Sequence, residues 1–413
     1  MKFYKLTKIS LVATVIALFA TCKPSAEAEK DVFIKDNVTF AVDQTKLMLE
    51  AIGPFNGKNY PRTMRPNGDL RCTSIHDWTP GFFPGALWYL YELTGDTLWQ
   101  HQAEHWTYPL ESQKNFTGNH DIGFMMYCSY GNAERLASKP GYEQILISSA
   151  DALCTRFNDV VQSIESWDYR KAWDGTEWFF PVIIDNMLNL ELLFYASKVT
   201  GDQKYYDIAV AHANTTLRNH FREDYSSYHV VDYDTETGLP LHKQTCQGYS
   251  DNSTWSRGQA WAVYGFTMMY RETKDPAYLE AAKNLAGYFL ENLPDDLVPL
   301  WDFNVGMPGY TPDGNSYAVE HKDKVRDASA ASIVCSALFE LGQLANDPYY
   351  IEMGEKMLKS LASPAYRAEL GQNQHFIIMH CTGSYPHRSE IDVPLTYADY
   401  YFLEALIRYK NLK

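Results

Sequence analysis

Phe194-Tyr195-Ala196-Ser197-Lys198-Val199-Thr200-Gly201-Asp202, followed by Tyr205-Tyr206, closes one helix and opens another. Gly201 suits a left-handed C-terminal cap, Asp202 suits an N-cap, and the two tyrosines begin a new apolar face. The same unit recurs along the chain. Leu90-Tyr91-Glu92-Leu93-Thr94-Gly95-Asp96 is one copy, and Met269 to Pro276 followed by Tyr278 is another. Leu338 to Pro348 followed by Tyr349-Tyr350 is a third, and Ala133 to Pro140 with Gly141-Tyr142 a weaker one. Each reads as an αα-hairpin.

Working outward from these junctions, helical periodicity covers residues 36–51, 81–94, 97–110, 120–137, 141–157, 184–200, 203–219, 255–273, 276–292, 326–345, 348–361 and 396–411. The first helix of each pair is richer in Gly, Ala and apolar residues, and the second carries more charge. That alternation fits inner and outer rings. An open solenoid of helix pairs has even spacing, whereas these pairs are irregularly spaced and separated by long loops (54–80, 158–183, 220–254, 293–325 and 362–395). The expected fold is therefore all-α: a single (α/α)6 barrel, a six-hairpin toroid, over residues 36–413. Its long loops lie at one end, where sites are built.

The composition is 46% hydrophobic and 15% aromatic, with 30 Tyr and 10 Trp, enough for a large core and for sugar-stacking surfaces. A net charge of −15 argues against nucleic acid or an anionic membrane surface as partner. Lys2, Lys5 and Lys8 followed by the apolar run Ile9 to Ala20 read as a signal peptide over 1–21. Phe19-Ala20-Thr21-Cys22 resembles a lipoprotein cleavage site with Cys22 as the lipidated residue. Residues 22–35 then read as a tether, which places the protein in the cell envelope, held to a membrane only through that lipid. The other cysteines (Cys72, Cys128, Cys154, Cys246, Cys335 and Cys381) form no CxxC and read as free, small apolar residues.

Polar residues collect at the starts of the inner helices. These are His76-Asp77-Trp78, Asn119-His120-Asp121, Asp185-Asn186, Asp251 to Trp261, and Arg326-Asp327. Helices running the same way around a barrel bring these starts to one end. Singly, each residue is most simply a helix cap; together they make the walls of a pocket. In Ile183-Ile184-Asp185-Asn186-Met187-Leu188-Asn189-Leu190-Glu191-Leu192-Leu193, one aspartate and two asparagines interrupt an apolar run. If Asp185 and Asp121 face each other, their like charges and burial keep one protonated near neutral pH, as a general acid requires. His101 and His105 lack the HExxH order, and neither a metal nor a cofactor is expected.

His120-Asp121-Ile122-Gly123-Phe124, Ile184-Asp185-Asn186-Met187-Leu188-Asn189-Leu190, Ser253-Thr254-Trp255-Ser256-Arg257-Gly258-Gln259-Ala260-Trp261 and Trp78-Thr79-Pro80-Gly81-Phe82-Phe83-Pro84-Gly85 resemble the motifs of the unsaturated glucuronyl hydrolases, glycoside hydrolase family 88. The likeness runs from about residue 36 to the C-terminus, and that family has the (α/α)6 barrel. The resemblance implies that Asp185 is the general acid/base and Asp121 its partner. It also implies that Trp78, His229, Gln247, Arg257 and Trp261 contact substrate, with Trp173 or Trp178 as the stacking aromatic. Arg257, and His229 if protonated, suit a carboxylate or sulfate. The implied reaction is hydration of the C4=C5 double bond that lyases leave on a terminal uronic acid, with glycosaminoglycan- or ulvan-derived oligosaccharides as partners. Two other readings fit the same residues: an unsaturated rhamnogalacturonyl hydrolase, and a non-catalytic glycan-binding lipoprotein of an uptake system.

Overall fold

The computed structural model describes residues 25–412 apart from 315 and 322. The expected signal peptide and Cys22 lie outside the described residues. In chain order the helices are α1 (Ala26–Ile52), α2 (Phe82–Thr94), α3 (Thr97–Thr107), α4 (Ile122–Met126), α5 (Asn132–Ala137), α6 (Tyr142–Cys154), α7 (Leu190–Thr200), α8 (Gln203–Asn219), α9 (Ser256–Thr273), α10 (Pro276–Glu291), α11 (Tyr317–Glu320), α12 (Ala328–Ala345), α13 (Pro348–Leu361) and α14 (Thr396–Lys410). The inner ring is α2, α4–α5, α7, α9, α12 and α14. Neighbours pack in turn, α9 being met by the 3₁₀ turn Ile184–Asn189 that leads into α7, and α14 returns to α2, so the ring is closed. Helices α3, α6, α8, α10, α13 and α1 lie outside their inner partners. This is the expected six-hairpin α/α barrel.

The hairpin junctions are built from local chemistry. Gly95 and Gly201 are left-handed (φ 69° and 71°), where a side chain is strained. Asp96, Asp202, Asp275 and Asp347 each cap the following helix by accepting a backbone N–H two residues on. The inner helices are buried on almost every face, Ser256 to Met269 in α9 without a break. They read as apolar all round because neighbours cover them on both sides.

Three boundaries differ from expectation. First, α1 starts at Ala26, within the stretch expected as a tether. Ser25 caps it through the Ala28 N–H, and the Lys30 amine reaches the Leu412 carbonyl at 3.1 Å and lies 5.3 Å over the Tyr409 ring. Second, the helix expected over 120–137 is α4 and α5 joined by a π-helical turn, Tyr127–Gly131. Third, the helix expected from 184 begins as a 3₁₀ turn, Ile184–Asn189, before α7. The six described cysteines are free; Cys128, Cys246, Cys335 and Cys381 are buried, and Cys72 and Cys154 half-buried.

The long loops carry short antiparallel sheets at the N-terminal ends of the inner helices. These are β1 (Tyr60–Met64) with β2 (Leu70–Thr73), β3 (Phe157–Asn158) with β4 (Ser163–Ile164), β5 (Arg170–Lys171) with β6 (Glu177–Trp178), the three-stranded β7 (Pro181–Ile183), β8 (Val230–Tyr233) and β9 (Pro240–Gln244), and β10 (Cys381–Ser384) with β11 (Ser389–Val393). They frame the mouth of the barrel.

Candidate active site

Asp121 stands immediately before α4 and Asp185 in the 3₁₀ turn that leads into α7. Neither accepts a helix-capping hydrogen bond. The capping reading therefore fails for both, although it holds for Asp327, which accepts the Ser329 N–H at 3.1 Å. The two carboxyls are largely buried, with side-chain exposures of 15% and 14%. Burial, with the charge of Asp185 added, pushes Asp121 up to about 8. Burial pushes Asp185 up to about 7, opposed chiefly by Arg257. Two close carboxyls in a shielded site titrate as a unit, so the pair holds a proton near neutral pH.

The segments carrying them interlock. A Cβ on Gly123 would lie 2.2 Å from Asn189 Oδ1 and 2.6 Å from Asn189 Cα, so α4 and the 3₁₀ turn approach closely only because residue 123 is glycine.

Each aspartate faces a buried imidazole. His229 Nε2 is 3.8 Å from Asp185 Oδ2, and His120 Nε2 is 3.5 Å from Asp121 Oδ1. His229 Nδ1 accepts the backbone N–H groups of Cys246 and Gln247, both at 3.1 Å. Burial holds the His229 pKa well below its usual value. His229 is thus a neutral Nε2–H donor. The condition under which it would hold an anion as a cation, protonation, is not met, because those two backbone donors leave no place for a proton on Nδ1.

Arg257 is buried beneath the pocket, its guanidinium 4.5 Å from the Trp255 ring. It donates to Asp327 Oδ2 at 2.6 Å and to the Thr382 and Gly383 carbonyls of β10. That occupies three of its five N–H groups. Gln247 Nε2 donates to the same Gly383 carbonyl at 3.2 Å. Trp261 is buried against Phe124, with ring centroids 5.2 Å apart. Its Nε1, with Asp185 Oδ2 and His229 Nε2, makes no hydrogen bond of ordinary geometry within the protein, although the indole N–H faces Asp185 and favours its anion. Trp78 packs on Phe82, Phe124 and Tyr397, at the Asp121 side.

The loop aromatics separate by environment. Trp178 is fully buried and donates to Gln244 Oε1 at 2.8 Å, so it is a core residue and not a stacking surface. Trp173 is half-buried, donates to the Cys246 carbonyl, and packs at a tilt on His387, with ring centroids 4.7 Å apart. Trp167 belongs to the same loop. Its backbone bridges to Asn119, next to His120-Asp121, and its ring lies edge-on to His229 at 6.3 Å. It therefore sits between the elements that carry the two aspartates. Asp327, one of the polar helix starts expected to wall the pocket, orients Arg257 from beneath it.

The chain matches Glycosyl Hydrolase Family 88 over residues 57–401. It is 44% identical to an unsaturated glucuronyl hydrolase of Formosa agariphila, covering 99% of each chain. A crystal structure of an unsaturated glucuronyl hydrolase specific for heparin superposes with a TM-score of 0.84 at 43% identity, covering 92% of this chain and 97% of that one. An Asp-to-Asn variant of the Streptococcus agalactiae unsaturated glucuronyl hydrolase, complexed with dGlcA-GalNAc6S, superposes with a TM-score of 0.74 at 29% identity, covering 92% of both chains.

Proposed function

We propose, on the premise that the chain belongs to Glycosyl Hydrolase Family 88, that it removes the unsaturated uronic acid from the non-reducing end of lyase-generated oligosaccharides by hydrating the C4=C5 enol ether. It is an enzyme of the unsaturated glucuronyl hydrolase type. The observation that carries the chemistry is the pair Asp121 and Asp185: uncapped, shielded, and both held near neutrality. Asp185 delivers its proton to C4, and water adds at C5. The hemiketal so formed opens, and the bond to the next sugar breaks with one water consumed. One protonated carboxyl and its partner suffice, and no nucleophile attacks the anomeric carbon. Asp121 holds the complementary charge state of the pair. The Trp261 and His229 N–H groups and the remaining Arg257 donors suit the substrate carboxylate, and the Trp167 ring suits the sugar face.

The substrate class we favour is the unsaturated disaccharides of glycosaminoglycans. The support is the heparin specificity of one relative and the GalNAc6S complex of another. We further propose that Cys22 is lipidated after cleavage and holds the enzyme in the cell envelope, supported by the basic, apolar and small-residue order of residues 1–22. Labelling with a radioactive fatty acid that is lost in Cys22→Ser tests this. The activity is tested by near-ultraviolet absorbance of the conjugated alkene with unsaturated disaccharides from heparin, chondroitin, hyaluronan and ulvan. Loss of absorbance on one of them, abolished in Asp185→Asn with binding retained, is the expected result. A folded protein that leaves all of them unchanged overturns the proposal.

A further inference from the structure

The stretch from Ile183 to Leu193 contains two asparagines that the reaction does not use. Both Asn186 and Asn189 are fully buried. Asn189 Oδ1 accepts the Phe124 backbone N–H at 2.8 Å, which fixes which end of the amide is which. Turning the amide over would set one N–H against another. Asn189 Nδ2 therefore faces His120 Nδ1 at 2.8 Å and Asn186 Oδ1 at 3.3 Å. Asn186 is fixed the same way, because its Nδ2 donates to the Ile164 carbonyl at 2.7 Å and to Ser166 Oγ at 3.2 Å. Every donor in this chain has an acceptor, and the chain runs in one direction only.

The consequence falls on His120. Its Nδ1 receives a hydrogen from Asn189 and so carries none. We propose that Asn189 is a positioning residue that holds His120 in its neutral Nε2–H form, so that the only N–H of this imidazole points at Asp121. Burial agrees, pushing the His120 pKa down to about 3. The arrangement repeats at the other aspartate, where the backbone N–H groups of Cys246 and Gln247 fix His229. There the backbone does what a replaceable side chain does at Asp121. An N–H dipole aimed at Asp121 from 3.5 Å, too long for a full hydrogen bond, favours its anion over the acid. Asp121 also faces Asp185 and Asp77, which raise it, and Arg156 and Arg62, which lower it. Because Asn189 also packs against α4, a shift that came through Asp185 would be the same with or without His120, and the His120→Gln background below separates the two.

The inference rests on the hydration reading above, and its test separates the two. The long-range proton–nitrogen spectrum of the imidazoles needs no substrate. His120, assigned by the signal missing in His120→Gln, is expected to show a protonated Nε2 and a bare Nδ1. A protonated Nδ1 in the native protein overturns the inference whatever the variants do. Once native turnover on an unsaturated disaccharide is established, Asn189→Ala is expected to lower kcat about tenfold. It is also expected to move the acid limb of the pH–rate profile up by less than about one unit, the worth of a full hydrogen bond to a carboxylate. In a His120→Gln background, where the amide supplies its own N–H, Asn189→Ala is expected to leave that limb in place. Reduced activity in Asn189→Ala with an unmoved limb and an unchanged His120 tautomer assigns Asn189 to packing alone and refutes the inference.

Discussion

Gly123→Ala tests the geometry on which the carboxyl pair depends. The new methyl would lie 2.2 Å from Asn189 Oδ1, 2.5 Å from Asn189 Cβ and 2.6 Å from Asn189 Cα. Ordinary contacts between such atoms begin near ~3.5 Å, so α4 and the 3₁₀ turn must separate by about 1 Å. Two of the three atoms lie at the root of the side chain, so no rotamer change relieves the contact. Overpacking of this kind costs about 1–3 kcal/mol. A displacement of about 1 Å between catalytic groups costs on the order of 100-fold in rate. Gly287→Ala is the control, because that helical glycine has nothing within 4 Å of a built Cβ. There the same substitution is expected to stabilise by about 0.5–1 kcal/mol and leave turnover unchanged. Denaturant melts and initial rates on an unsaturated disaccharide measure both variants. If Gly123→Ala keeps native stability and native kcat, the close approach does not set the distance between Asp121 and Asp185, and the reasoning is wrong.

Other substitutions separate packing from chemistry. Trp178→Ala is expected to cost about 3–5 kcal/mol through its cavity with little change in kcat/KM of the folded fraction, while Trp167→Ala lowers kcat/KM at nearly native stability; the reverse pattern would exchange their roles. Arg257→Ala leaves Asp327, fully buried, without its cation and is expected to destabilise by about 3–5 kcal/mol in urea unfolding, much of it recovered in Arg257→Met/Asp327→Leu. The Asp121/Asp185 pair also sets a pH dependence of stability. The unfolded chain releases both protons near 3.8, whereas the fold retains them to about 8 and about 7. Their contribution is therefore fully present below about pH 4 and lost as pH rises through 7 to 8. Relative to the native protein, Asp121→Asn/Asp185→Asn should gain Tm steadily over that range, with Asp399, itself held up to about 7, present in both. Parallel curves would contradict it.

What the sequence made legible is what is decided locally. Gly201-Asp202 and its relatives place the hairpin junctions because a left-handed cap and an Asp side chain accepting two residues on need no distant partner. The start of α1 was hidden for the opposite reason. Its first residues are charged, and what orders them is Leu412 and Tyr409 at the far end of the chain. The loop tryptophans were ambiguous for the same reason. Trp178 is a core residue because Gln244 comes to it from β9, and Trp167 is a pocket residue because Asn119 pairs with it. The charge on His229 turned on two backbone N–H groups in the loop after β9.

The asparagines lie between these cases. Their oddness in an apolar run was visible, but their partners were not, since Phe124 lies in α4 and His120 in the turn before it. A signal was present all the same, in the glycine of His120-Asp121-Ile122-Gly123-Phe124. A helix start that requires glycine has something pressed against its backbone, and here that is the Asn189 side chain. The two motifs are halves of one contact, which brings Asp121 to Asp185 and fixes the imidazole beside it. Reading either motif alone finds a carboxylate. Asking what each glycine and asparagine must touch finds the pair, because the close and hydrogen-bonded junction of α4 with the 3₁₀ turn holds two buried, raised aspartates in one site rather than as two separate caps.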